Sequence, residues 1–178
     1  SPPSIYGALP YPTPISPPLP DTVNFAFTHL EPTILNSTFV NSRQEPVGSV
    51  YTDSLRVFTL LKDNDRRSMA MVEWRMDGGP AVEIRGVVKQ QRVGKWLPLS
   101  DDARSRTMKV NAVSYVWTKK GDYICLCSAA DSTSFVITRI TKTPTCINLE
   151  MSQVAIGLGL LEPCVVAAVL LLCGRKLD

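Results

Sequence analysis

From residue 22 onward, apolar and polar positions alternate in short runs, and glycine, proline or charged turns cut each run. Val23-Asn24-Phe25-Ala26-Phe27 is the first, with both phenylalanines on one side of a two-residue period. Strand candidates follow at residues 38–40, 47–51, 55–61, 69–76 and 81–88. A second group lies at residues 104–108, 110–117, 123–127 and 134–140, rich in Val, Ile, Phe, Tyr and Trp. Turn chemistry marks residues 41–46, 62–67, 77–80 and 119–122, and residues 89–95 read as a basic connection. The spacing predicts about nine to eleven short strands and no helix before residue 150.

Residues 154–173, VAIGLGLLEPCVVAAVLLLC, are apolar on every side, and Glu162 is their only charge. They predict one helix of about twenty-two residues, roughly 33 Å long. Asn148 or Ser152 would cap it, Glu150 would sit near its start, and Gly174 with Arg175-Lys176 would end it. A helix apolar all round must be enclosed all round, by lipid or by protein. Glu162 near the middle argues against lipid, where an ionised carboxylate costs about 2.5–3.5 kcal/mol. Pro163 removes a further hydrogen bond there. Gly157, Gly159, Ala167 and Ala168 would let strands approach closely. The expected fold is therefore mainly β: an antiparallel barrel closed around a C-terminal helix over residues 152–173. The alternative is a transmembrane helix at residues 154–173.

The first twenty residues are of another kind, with eight prolines and no charge. Proline fixes φ and removes donors, so residues 1–21 are expected as an extended arm outside a single domain at residues 22–178. PISP and PPLP within the arm would suit a PxxP-binding groove; the plainer expectation is a tail draped over the domain. The chain begins at Ser1, which leaves a removed leader and a trimmed terminus equally open.

The net charge of +3 lacks the excess of a dedicated nucleic-acid binder but permits weak attraction to anionic membranes. Five cysteines, an odd number without a Cys-x-x-Cys pair, speak against a zinc site. They favour a reducing compartment, so the expected location is intracellular, cytoplasmic or peripheral at a membrane. Cys125 and Cys127 would share one face of a strand, and Cys164 and Cys173 would act as small apolar residues. Asn36-Ser37-Thr38 fits a glycosylation sequon. His29 is the only histidine, and no second one supports a metal site. Asp101-Asp102, and Glu73 with Glu83, are carboxylate pairs of the kind that turns and sheet faces carry. No cofactor-binding motif is present.

One set of motifs adds a family. A Phe-x-Phe strand, Pro46-x-x-x-x-Tyr51-Thr52, Glu73-Trp74, Tyr115-x-Trp117 and the apolar C-terminal helix occur in that order. Together they resemble an uncharacterised domain family widespread in mushroom-forming fungi. That family is similar in layout to tubby C-terminal-like barrels, which include plant LURP-one-related proteins and phospholipid scramblases. The resemblance covers residues 22–175 and implies about twelve antiparallel strands around a buried C-terminal helix. It brings no established activity and no site residue. Tubby-like relatives bind phosphoinositides through basic residues on the barrel wall, and scramblases are associated with membranes and calcium. Asp63-x-Asp65 is too short for a calcium loop.

For a site, the basic residues carry the sharpest expectation. Arg85, Lys89, Arg92 and Lys95 would meet Arg104, Arg106 and Lys109 on one wall, with Trp96 beside them, and hold a phosphorylated lipid headgroup. The plainer expectation is a solvated face balanced by Asp101 and Asp102. The functional expectation is a non-enzymatic domain that binds an anionic lipid or a protein partner, and not nucleic acid. An enzyme with an unrecognised site ranks last.

Overall fold

The computed structural model describes residues 19, 21–74, 77–129 and 135–178. The proline-rich arm lies outside the described residues except for Leu19 and Asp21. Twelve strands are present: β1 (Thr22–Thr28), β2 (Ser37–Asn41), β3 (Pro46–Thr52), β4 (Phe58–Asp63), β5 (Ser68–Glu73), β6 (Ala81–Ile84), β7 (Val88–Arg92), β8 (Ser105–Val110), β9 (Val113–Lys120), β10 (Tyr123–Ser128), β11 (Val136–Lys142) and β12 (Ile147–Ser152). They form one antiparallel sheet in the order β7-β6-β5-β4-β3-β2-β1-β12-β11-β10-β9-β8. Every neighbour is a sequence neighbour except β1 and β12, which pair from Thr22↔Ser152 to Phe27↔Ile147. The first and last strands thus meet in the middle of the sheet.

The alternation seen in the sequence is an inside–outside alternation. In β3, Gly48, Val50 and Thr52 face inward, and Ser49 and Tyr51 face water. Phe25 and Phe27 both point in and lie against Phe39, with ring centroids 5.1 and 4.9 Å away. The edges β7 and β8 are joined through the single-turn helix α1 (Val93–Trp96), which packs on β6, β7 and β8. The segment after α1 bonds to β8 through Thr107 N–H to Pro98 O, 3.0 Å, and Ser100 N–H to Ser105 O, 2.9 Å. The barrel is nearly closed, and the segment after α1 covers its β8 edge. The "basic connection" at residues 89–95 is therefore β7 and α1.

The apolar rod is inside this barrel, but it is not one helix over residues 152–173. Ser152 caps a short helix α2 (Gln153–Gly157) by accepting the Ala155 N–H, as expected of that serine. The chain then turns at Gly159, whose φ of +71° suits glycine, and α3 (Leu161–Leu172) begins. Asn148 and Glu150 belong to β12, not to a helix start. Glu162 and Pro163 lie in the first turn of α3, where a carboxylate suits the helix dipole and a missing N–H is harmless. Their supposed obstacle at mid-helix is a start signal. Ala167 and Ala168 are fully enclosed, whereas Gly157 and Gly159 are exposed. Twelve residues of α3 give about 18 Å, short of the roughly 30 Å of a hydrocarbon core. Among the described residues no helix is long and apolar enough to cross a membrane, so the transmembrane reading of residues 154–173 is corrected.

The direction of α3 gives the barrel two mouths. The entry mouth gathers Leu161 and Glu162 with Phe39, Val47, Asp63, Met69 and Arg85 around a basin of about 240 Å³. At the exit mouth, Gly174 in the left-handed region ends the helix run, and Cys173 and Arg175 meet the β1–β2 and β3–β4 loops.

Candidate functional site

The exit mouth holds a cleft of about 470 Å³ between residues 31–36, residues 52–56 and the tail at Cys173 and Arg175. A chain of hydrogen bonds forms its floor. Thr52 Oγ1 donates to Leu35 O at 2.8 Å and lies 2.8 Å from Thr59 Oγ1, which accepts the Trp74 indole N–H at 2.7 Å. Asn36 Oδ1 accepts the Thr52 N–H at 2.9 Å, so the amide of the sequon residue braces β3. Thr52 and Thr59 are buried, and each hydroxyl is satisfied inside the protein.

Over this floor lies Arg175. Its guanidinium stacks 4.5 Å from the Trp74 ring and donates to the Arg56 carbonyl at 3.1 Å. A guanidinium has five N–H donors, so the cleft side keeps donor capacity. Arg56 stands at the tip of the β3–β4 loop with φ +57° and an exposed side chain. Two carboxylates, Glu31 and Asp53, also line the cleft. Asp53 is occupied with its own loop: Oδ2 accepts the Leu55 N–H at 3.1 Å and Oδ1 the Phe58 N–H at 2.6 Å. The same loop exposes Leu55 to 81% and Val57 to 37%, and Phe58, the first residue of β4, is 37% exposed. The exit mouth therefore sets an apolar tip beside two guanidinium groups.

The eight predicted site residues divide. The seam does bring β7, α1 and β8 together, and Lys89, Lys95, Arg104 and Lys109 are exposed there. Trp96 is not beside a patch: it is 2% exposed, and its indole donates to Lys109 O at 3.2 Å. Arg106 forms an ion pair with Asp178 and donates to Leu97 O at 2.8 Å, pinning the tail to the seam. Arg92 lies over Gly78, where any side chain would collide with its guanidinium. Arg85 is at the opposite mouth, among Asp63 and Glu162. Asp102 braces its turn. The Ser100 hydroxyl and then the Arg104 N–H hold its carboxyl below the usual range.

Arg104 and Arg106 line a shallow basin of about 200 Å³ with Lys119, over Trp117, Ile124 and Leu171. Trp117 is buried, and its Nε1 has no hydrogen-bond partner among the described residues. Leu171 belongs to the last turn of α3, so this basin also opens at the exit mouth. His29 is exposed, with Nδ1 3.2 Å from Thr28 Oγ1. None of the five cysteines is in a disulfide; burial raises Cys164 to about 12, and Thr138 Oγ1 at 3.9 Å opposes this.

The sequence reading missed the cleft because its parts come from three distant segments with no motif spacing. The one available signal was Leu55-Arg56, an apolar residue beside a cation in a stretch read as strand.

The family model of DUF6593, described as a family of unknown function, matches residues 32–176. The chain belongs to that family. The match to DUF6593 starts after β1, although β1 lies between β2 and β12 in the sheet, so the folded unit extends further toward the N-terminus. Among solved structures, the chain is similar to an X-ray structure of a protein from Arabidopsis thaliana, at 8% identity and a TM-score of 0.42, covering 84% of this chain and 93% of that one. No curated protein matches the DUF6593 chain.

Proposed function

We propose that this barrel is a non-enzymatic binding domain that engages anionic phospholipid surfaces through its exit mouth. The observation that carries the reading is Leu55, 81% exposed on a loop tip, next in the chain to Arg56, whose carbonyl accepts from Arg175. Apolar tips flanked by basic groups combine burial in acyl chains with attraction to lipid phosphates. Arg104, Lys119 and the 43%-exposed Leu99 add the same chemistry along the rim. The resemblance to tubby-like barrels points the same way, although here the basic groups gather at a mouth instead of a wall.

A protein partner is the second reading, and Glu31 favours it, because it leaves a carboxylate beside the two arginines. The test is flotation with vesicles of phosphatidylcholine alone or with added phosphatidylserine or phosphoinositide. The lipid reading expects binding only to anionic vesicles, weakening as salt rises. Each basic group near the surface contributes about 1 kcal/mol, so Arg56→Glu should weaken binding roughly thirty-fold. Equal binding to neutral vesicles, or none to any, would overturn it and leave the protein partner.

A further inference from the structure

We propose that the proline-rich arm, residues 1–20, docks in cis on the outer wall of β10 and β11. In β10, Leu126 joins the core around α3, and its neighbours Cys125 and Cys127 do not. Those two thiols point to the outside of the barrel, yet they are only 3% and 5% exposed. In β11, Thr138 faces Cys164 of α3, so the adjacent Arg139 faces outward, and it too is only 5% exposed. The wall further round is ordinary: Asn148 of β12 and Asn24 of β1 are exposed. An outer strand face is sealed from water only if something lies across it.

Leu19 is 9% exposed and is not among the residues clustered around α3. Two residues later, Asp21 O accepts the Gln153 N–H at 3.1 Å, which fixes the arm's exit beside β12. From β1, the strands β12, β11 and β10 follow in the sheet. Three inter-strand steps are about 14 Å, and eighteen residues of polyproline helix span about 56 Å, so the arm reaches easily.

The chemistry of the two surfaces matches. The arm is uncharged, carries Ile5, Tyr6, Leu9, Tyr11 and Ile15, and its prolines leave carbonyl acceptors without matching donors. Grooves that take such segments offer an aromatic surface and N–H donors. The wall has Tyr123 with the Arg139 guanidinium 5.0 Å from its ring centroid, and Lys120 Nζ 3.8 Å from Cys127 Sγ. Arg139 is held in place by Glu150 at 2.7 Å. Desolvation first, and the neighbouring Cys127 second, hold the Cys125 thiol above its ordinary range.

Iodoacetamide labelling of each cysteine, followed by peptide mass spectrometry, tests this. In the full chain, Cys125 and Cys127 should react at least tenfold more slowly than the half-buried Cys146. Removing residues 1–20 should raise both at least tenfold and leave Cys164, inside the barrel, unchanged. Protection that survives removal of the arm assigns the cover to another segment and overturns the proposal. If Cys164 also becomes reactive, the barrel has opened, and the full chain carrying Ile5→Asp, Leu9→Asp and Ile15→Asp decides by the same readings. Protection that grows with protein concentration would place a second copy's arm on the wall, which also overturns docking in cis.

Discussion

The two mouths of the barrel are built by different means, although one helix connects them. At the entry, a helix cap and a turn do the closing: the Ser152 hydroxyl on the Ala155 N–H, the turn at Gly159 and the buried Leu160, whose carbonyl accepts the Cys164 N–H at 2.9 Å. At the exit, side chains close it: the Thr52–Thr59–Trp74 chain, Arg175 on Trp74, and Arg106 on Asp178. Both mouths expose apolar residues, Val154 (58%) and Leu158 (48%) at the entry and Leu55 (81%) at the exit. They differ in charge. Arg85 stands with Asp63 and Glu162 at the entry basin, and Arg56 and Arg175 stand with Asp53 and Glu31 at the exit cleft; each aspartate is bonded to its own loop, which leaves one arginine to one carboxylate at the entry and two to one at the exit. The comparison teaches that exposed apolar area alone does not mark a site; the cations beside it separate a lid from a binding face.

Substitutions at each mouth sharpen this contrast, and urea unfolding measures them. Leu160→Ala empties a fully buried position at the entry corner and should cost about 2–5 kcal/mol. Thr59→Val at the exit strands the Trp74 indole N–H and removes a partner of Thr52, for about 1–3 kcal/mol. Asp178→Asn loosens a half-exposed ion pair and leaves Arg106 on Leu97 O, at a cost no greater than about 1 kcal/mol. A larger loss for Thr59→Val than for Leu160→Ala would break the contrast by making the polar mouth the main clamp.

Much of the barrel was legible because a two-residue period needs only neighbours to be seen. Phe25 with Phe27, and Val82 with Ile84, read correctly as inward pairs, and Asp77-Gly78-Gly79-Pro80 as a break. The rod was legible as a rod, since eight consecutive residues from Pro163 to Leu170 are buried. Its start was not: Glu162-Pro163 has opposite meanings at the middle and at the first turn of a helix, and only the turn at Gly159 decides. β12 was lost because its outward positions, Asn148 and Glu150, look like caps when Arg139 across the sheet is not in view. The basic residues were grouped by sequence distance, yet Arg85 and Arg106 sit at opposite ends of α3. The cleft depends on contacts such as Thr52 with Leu35 and Arg175 with Arg56, which no local pattern encodes.

One measurement sets the two mouths against each other. Leu55→Glu and Val154→Glu place the same charge on exposed apolar residues at opposite ends, where neither should disturb the fold. In flotation with anionic vesicles, Leu55→Glu should reduce binding at least tenfold and Val154→Glu should leave it within twofold of the parent chain. Loss of binding through Val154→Glu with Leu55→Glu unaffected would contradict the assignment of the exit mouth as the binding face.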